Sequence, residues 1–222
     1  MSVNMENRIV DARMEAFINS MDSPNPEELN ILEAYAGEHE IPIIRPGTQS
    51  LLKTLLAIGK PQRILEIGTA IGFSALLMSH YAPPDCRITT IEKYEKRIPV
   101  ALENFRKAGK SEQITLLAGD AGELLPTLLE TYDFIFMDGA KGQYIHFLPE
   151  VLRLLSQGGL LVSDNVLQEG EILESRFAVT RRNRTIHARM REYLYELKHH
   201  PDLVTSILPV GDGVTVSVKT TK

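Results

Sequence analysis

The sequence predicts an α/β fold: a mostly parallel sheet of seven strands, finished by a C-terminal antiparallel hairpin and preceded by a helical N-terminal extension. Three observations predict it. From Arg63 onward, short apolar runs alternate with stretches of helical spacing, the pattern of repeated strand–helix units. The runs are apolar throughout, as strands covered on both faces are. Near the end, LVTSILPV and VTVSVK flank Gly-Asp-Gly, which reads as a hairpin.

The elements follow in order. Residues 5–20 carry Ile9, Val10, Met14, Phe17 and Ile18 at helical spacing. SPNPEELNILEAYAGEH offers Asn25 as an N-cap, Pro26 at the first helical position and acids in the first turn, predicting a helix to about His39. PGTQSLLKTLLAIG (46–59) repeats that logic, with Thr48 as cap and Gly59 as stop. The core then reads RILEIG, a helix over 72–80, CRITTIE, a helix over 94–108, ITLLAG, a helix over 121–130 and FIFMD. A helix over 144–155, LLVSDN and a long polar helical region to about 199 precede the hairpin. With no repeat and no low-complexity linker, the reading is one domain over 1–222, an extension (1–60) on an α/β core (61–222).

The 222 residues, 43% hydrophobic and 24% charged, suit a globular chain with a sizeable core. A formal charge of −5 excludes a chain that is basic all over but allows a local basic patch. The single cysteine, Cys86, rules out an internal disulfide framework and argues against a thiolate metal site, as expected of a cytoplasmic protein. MSVNMENRIVDARMEAF lacks the apolar stretch of a signal peptide, and no apolar run approaches the ~18 residues of a membrane span. Neither a membrane nor DNA is expected as a partner.

Ligands of open α/β sheets bind outside the carboxyl ends of the strands, and five strand ends here carry candidate chemistry. In EIGTAIGFS (66–74), Gly68 and Gly72 permit a tight turn into a helix start, either for a ligand or for structure alone. A dinucleotide fingerprint read from Gly68 would put Ala70 and Phe73 where glycines belong, which argues against a dehydrogenase. Glu92 ends the second strand, placed for two ribose hydroxyls or simply solvated. Asp120, in GDA, can accept from an adenine amino group or cap the next helix. Asp138 ends the fourth strand and Asp164–Asn165 the fifth: three oxygen donors suited to a hard divalent cation such as Mg²⁺, with no histidine or cysteine to favour zinc. Acids at strand ends are often only caps; the set, with Lys141 three residues after Asp138, points to function.

EIGTAIGFS, the Glu92 strand end, GDA, MDGAK and SDNV, in this order over about residues 40–220, resemble the metal-dependent O-methyltransferases of the catechol and caffeoyl-CoA type. These are class I S-adenosylmethionine enzymes with a Rossmann-like methyltransferase fold. AKGQY, DNVLQEG, an arginine-rich stretch and PVGDGV are similar to the bacterial tRNA 5-hydroxyuridine methyltransferases, which make wobble 5-methoxyuridine. The resemblance implies that Glu66, Gly68 and Ser74 hold the methionine end of the cofactor, with Ile44 closing over it. It gives Glu92 the ribose, Asp120 and Ala121 the adenine, and Asp138 a second role at the cofactor. Asp138, Asp164 and Asn165 would hold Mg²⁺ or another divalent cation, Lys141 would be the base, and a homodimer is expected. Ala70 departs from the broader methyltransferase pattern, though this family commonly lacks that glycine.

RFAVTRRNRTIHARMR (176–191) holds six arginines and no acid. Arg181, Arg182 and Arg184 are candidate phosphate contacts for a tRNA anticodon region, against the plain alternative of a solvated helix face. His187, His199 and His200 read as structural, and Tyr144 and Phe147 as core. A methyltransferase of a small catechol-like metabolite is the second reading, and a non-catalytic nucleotide- or RNA-binding module the third.

Overall fold

A computed structural model describes residues 10–175 and 177–220. Three helices lead: α1 (Ala12–Ser20), α2 (Glu27–Glu38) and α3 (Pro46–Gly59). Asp11 caps α1 by accepting from the Arg13 and Met14 amides, so this helix starts later than its apolar spacing suggests; residues 5–9 lie outside the described ones. Asn25 does not cap α2. Pro26 takes that position without a side-chain bond, and the Asn25 amide donates instead to Gln49 Oε1 at 2.8 Å. Nor is Thr48 a cap: Arg45 precedes α3, Thr48 is buried in its first turn, and the left-handed residue at the far end is Lys60 rather than Gly59.

The core alternates as expected: β1 (Arg63–Ile67), α4 (Phe73–Tyr81), β2 (Arg87–Glu92), α5 (Ile98–Lys107), β3 (Ile114–Ala118), α6 (Ala121–Leu124) and β4 (Tyr132–Met137). Next come α7 (Tyr144–Leu154), β5 (Leu155–Ser163), α8 (Arg184–His199), β6 (Leu203–Leu208) and β7 (Val214–Lys219). The seven strands lie in the order β3-β2-β1-β4-β5-β7-β6. The first five pair in parallel, and β7 inserts antiparallel between β5 and β6.

Several helices are shorter than their sequence spacing suggested, each for a local reason. Residues 94–97 form a turn because the Tyr94 amide goes to the Glu92 carboxylate, and Pro99 fits only the first turn of α5. Pro126 has no amide to continue α6, so a 3-10 turn over Leu125–Thr127 follows. The largest departure is 166–183. Its described residues hold no α-helix, only a 3-10 stretch over Gln168–Leu173 broken by positive φ at Gln168, Glu169 and Gly170 (51°, 54° and 92°), and Val166 and Leu167 donate to the Gly213 and Asp212 carbonyls. β5 also begins earlier than LLVSDN, running straight on from α7.

The strand period sorts the core into two layers. Ile64, Ile88, Phe134, Phe136 and Val162 face α2, α3, α4 and α5; Leu65, Ile67, Ile135, Met137 and Leu161 face α7 and α8. Leu29, Leu32, Leu52 and Leu56 join the first layer, so the N-terminal helices complete the core. Glu66 shares the face of Ile64, fully buried. Among the described residues no helix is long and apolar enough to cross a membrane.

Strand order reverses between β1 and β4, so the chains leaving their carboxyl ends run to opposite sides and open a crevice there. They separate over a very tight passage. Gly68 has φ +106°, and a Cβ on it would lie 2.2 Å from the Asp138 carbonyl oxygen. Gly68→Ala therefore forces β1 and β4 apart. We expect a loss of at least ~2 kcal/mol in unfolding free energy, measured by urea denaturation.

Candidate active site

A cleft of about 830 Å³ occupies the crevice, walled by the loops after β1 to β5, by Pro42, Ile43 and Arg45, and by Asp212 of the β6–β7 loop. Its two ends differ in chemistry.

At one end stand Gly68, Ala70, Glu92, Asp120 and Ala121. Ala70 takes the left-handed conformation (φ 47°) usually left to glycine, and its amide donates to Glu92 Oε2 at 2.8 Å. The Tyr94 amide holds Glu92 Oε1 at 2.8 Å, so this carboxylate is fixed in orientation while keeping lone pairs for a ligand. Asp120 does cap α6, its Oδ1 accepting from the Gly122 amide at 2.8 Å, and its Oδ2 lies 3.4 Å from Lys93 Nζ. It caps and lines the cleft at once. Behind Gly68, Glu66 accepts from the Thr90 hydroxyl. Burial pushes its carboxyl up to about 7, against the Ser74 and Thr90 hydroxyls that hold it down, and nearby Glu92 adds to the rise. Its Oε1 is buried without a hydrogen-bond partner among the described residues, a place for a cationic donor to fill. Ile44 does not close over this end: its side chain packs into the core at 3% exposure, and its neighbours Ile43 and Arg45 face the cleft.

At the other end stand Asp138, Lys141, Asp164 and Asn165, brought together as expected. Asp138 is raised well above the usual carboxylate range, by burial first and then by the Asp164 and Glu66 charges. Burial likewise lifts Asp164 to about 6, although the Asn165 amide (2.8 Å) and the Thr48 hydroxyl (3.3 Å) bind its Oδ1. Asn165 has φ 58°, a constrained turn that carries the chain past its neighbour. Tyr144, buried as expected, lies with its hydroxyl 3.0 Å from the Met137 carbonyl oxygen and 3.3 Å from that of Asp164, tying the ends of β4 and β5 together.

Three charged contributors, Asp212, Glu169 and Arg45, went unread in the sequence. Asp212, buried, sits 3.5 Å from Lys141 Nζ and accepts from the Glu169 amide. Glu169 pairs in turn with Arg45 at 2.7 Å. Asp212 was visible only as the centre of Gly-Asp-Gly, which reads as turn chemistry. This end of the cleft therefore sets four acids (Asp138, Asp164, Glu169, Asp212) against two cations (Arg45, Lys141). Buried Asp164, half-buried Asp138 and the Asn165 amide, in excess negative charge, fit a hard divalent cation.

The arginine stretch divides. Arg176 lies outside the described residues. Arg184 donates to the Val179 and Phe177 carbonyls, Arg189 to Gly142 and Arg191 to Ile172. Those three serve the fold, so Arg184 is not a free phosphate contact. Arg181 and Arg182 are exposed. The three histidines are structural: His187 is buried against the Glu174 carbonyl, His199 stacks on Tyr195, and His200 accepts from the Asp202 amide.

The sequence matches the family described as O-methyltransferase over residues 21–220. A catechol O-methyltransferase of Niastella koreensis is 33% identical over 59% of this chain and 61% of its own length. One from Mycobacterium tuberculosis is 31% identical over 72% of this chain and 74% of its own. The solved structure of an SAH-bound methyltransferase of Podospora anserina superposes with a TM-score of 0.85 at 25% identity, covering 100% of this chain and 98% of that one.

Glu66 sets a pH dependence on the ligand-free protein. Below its ordinary 4.5 the carboxyl is protonated folded and unfolded, and stability is full. Between 4.5 and about 7 the unfolded chain ionises first, so stability falls as pH rises. The loss is complete above the folded value and amounts to about 3 kcal/mol. Glu66→Gln should therefore unfold in urea with a shallower decline from pH 5 to 7.5 than the parent; an unchanged slope would refute the assignment.

Proposed function

The chain belongs to the O-methyltransferase family, and on that premise we propose that it methylates the 5-hydroxyl of 5-hydroxyuridine at the tRNA wobble position, giving 5-methoxyuridine. The observation that carries the chemistry is Lys141 in one end of the cleft with half-buried Asp138 and buried Asp164, while the other end holds Glu92 and Asp120.

S-adenosylmethionine supplies an electrophilic methyl group on a sulfonium. Glu66, with its unpartnered Oε1, suits the cationic amino group of the methionine end, beside Ser74 and the close backbone approach at Gly68. Glu92 receives the ribose hydroxyls, and Asp120 with Ala121 the adenine. Asp138, Asp164 and Asn165 would hold a divalent cation such as Mg²⁺, which lowers the pKa of an acceptor hydroxyl and fixes its position. Lys141 Nζ stands to take the hydroxyl proton, and Asp212 Oδ2, 3.5 Å away, orients the amine and compensates the ammonium. Two adjacent acceptor oxygens suit this end of the cleft. Catechol has them as vicinal hydroxyls and 5-hydroxyuridine as its 4-carbonyl and 5-hydroxyl, so one site can serve either.

The RNA reading draws support from exposed Arg181 and Arg182 and from Phe177, 85% exposed, beside them in the chain. A small catechol-like acceptor is the second reading, favoured by the two catechol-methylating relatives and by the arginines spent on the fold. The exposed apolar row Met14, Phe17, Ile18 and Met21 on α1 supports a homodimer.

The test incubates the protein with S-adenosylmethionine, Mg²⁺ and tRNA carrying 5-hydroxyuridine, then weighs the nucleosides. No mass gain on uridine derivatives sinks the RNA reading, and methylated catechol in parallel reactions establishes the second. Arg181→Ala with Arg182→Ala should raise KM for the tRNA far more than KM for catechol. Lys141→Met should lower kcat about 10²- to 10⁴-fold while calorimetry shows S-adenosylhomocysteine still bound. Asp138→Asn should abolish turnover yet raise the melting temperature of metal-free protein at pH 8, because burial and the Asp164 charge oppose ionisation of the carboxyl it replaces.

A further inference from the structure

We infer that Arg45 is the recognition residue for an anionic group carried by the acceptor, a phosphate or a carboxylate, and that the Glu169 carboxylate occupies its guanidinium until that anion arrives. The inference rests on the methyltransferase reading and adds a substrate class to it. Four Lys or Arg side chains line the cleft among the described residues. Lys93 pairs with Asp120 at the cofactor end, where Arg97 lies over the Tyr94 ring. Lys141 pairs with buried Asp212. Arg45 pairs at 2.7 Å with Glu169, whose side chain, 61% exposed, is more open than Asp120 at 46% or Asp212 at 5%.

Position puts this pair beside the reacting end. A Cβ on Gly211 would lie 3.6 Å from Arg45 Cβ, next to the Asp212 that holds Lys141. From the opposite wall the Glu169 amide donates to that same Asp212. The pair thus spans the acceptor end from α3 to the segment after β5. Glu169 reaches it only from a run of three residues at positive φ, two of them not glycine. Such backbone is held at a cost and clusters at ligand clamps. Exposed ion pairs contribute little, whereas a guanidinium grips phosphate or carboxylate through two parallel bonds. An incoming anion therefore displaces Glu169 readily.

The pair makes opposite predictions for its two members. Methyl transfer is measured, at fixed free Mg²⁺, for 5-hydroxyuridine 5′-monophosphate against 5-hydroxyuridine and for 3,4-dihydroxybenzoate against catechol. The same acceptors are titrated calorimetrically onto protein loaded with S-adenosylhomocysteine, so that binding without turnover is also read. Arg45→Ala should reduce the preference for the charged member about tenfold. Glu169→Gln should increase it, because the competing carboxylate is gone. A preference within the nucleotide pair assigns phosphate, and one within the benzoate pair assigns a carboxylate. A nucleotide pair that is not methylated counts against the RNA reading, while the benzoate pair still decides Arg45. No charge preference in either pair, or a fall in both variants, overturns the inference.

Discussion

Everything at this site follows from carboxylates held in places that an apolar sheet would otherwise fill. Glu66 is fully buried on the sheet face it shares with Ile64, Asp164 is buried at the end of β5, and Asp138 is half-buried at the end of β4. Burying ionised acids side by side is unfavourable, and each raises the others toward the protonated form. A fold optimised for stability alone would put leucine at such positions. Asp138 and Asp164 are instead fixed by the chain itself: the Thr48 hydroxyl and the Asn165 amide hold Asp164, and the strand ends that carry the two acids are locked through Tyr144. The negative charge is organised to meet a cation.

The sheet edge and its main acids were legible because they use the plainest sequence signals. Apolar runs ending in Glu92, Asp138 and Asp164 define strand ends, and strand ends in a parallel sheet converge. What the sequence hid was anything whose role depends on a distant partner. Thr48 reads as a helix cap because threonine near a proline-led helix usually is one, yet its hydroxyl crosses 116 residues to Asp164. Asp212 reads as a turn residue and serves as a turn residue, and it is also the partner of Lys141. Glu169 and Arg45 are 124 residues apart, with nothing local to link them.

The arginine stretch shows the same limit from the other side. Six arginines without an acid look like one basic surface, but a helix turns its residues in different directions. Arg189 is half-buried and Arg191 bends back from an exposed position, both donating to carbonyls, of the Lys141 turn and of the segment after β5. Composition counts charge; only packing shows which charges are spent.

Those two arginines bear on the chemistry as much as free ones would. Arg189 holds the Gly142 carbonyl, and Ile186 packs 3.4 Å from where a Gly142 Cβ would stand, so α8 fixes the turn that carries Lys141. Arg191 fixes Ile172 in the segment that carries Glu169. One helix therefore braces two walls of this end of the cleft, that of Lys141 and that of the Glu169 carboxylate. The segment before it can then hold consecutive residues at positive φ without collapsing, since it is anchored at Asp212 on one side and at α8 on the other. Rigid bracing behind a strained, exposed carboxylate leaves its ion pair with Arg45 as the part of the acceptor wall least tied to the core. That is where the cleft can be adapted to a different acceptor with little effect on the core.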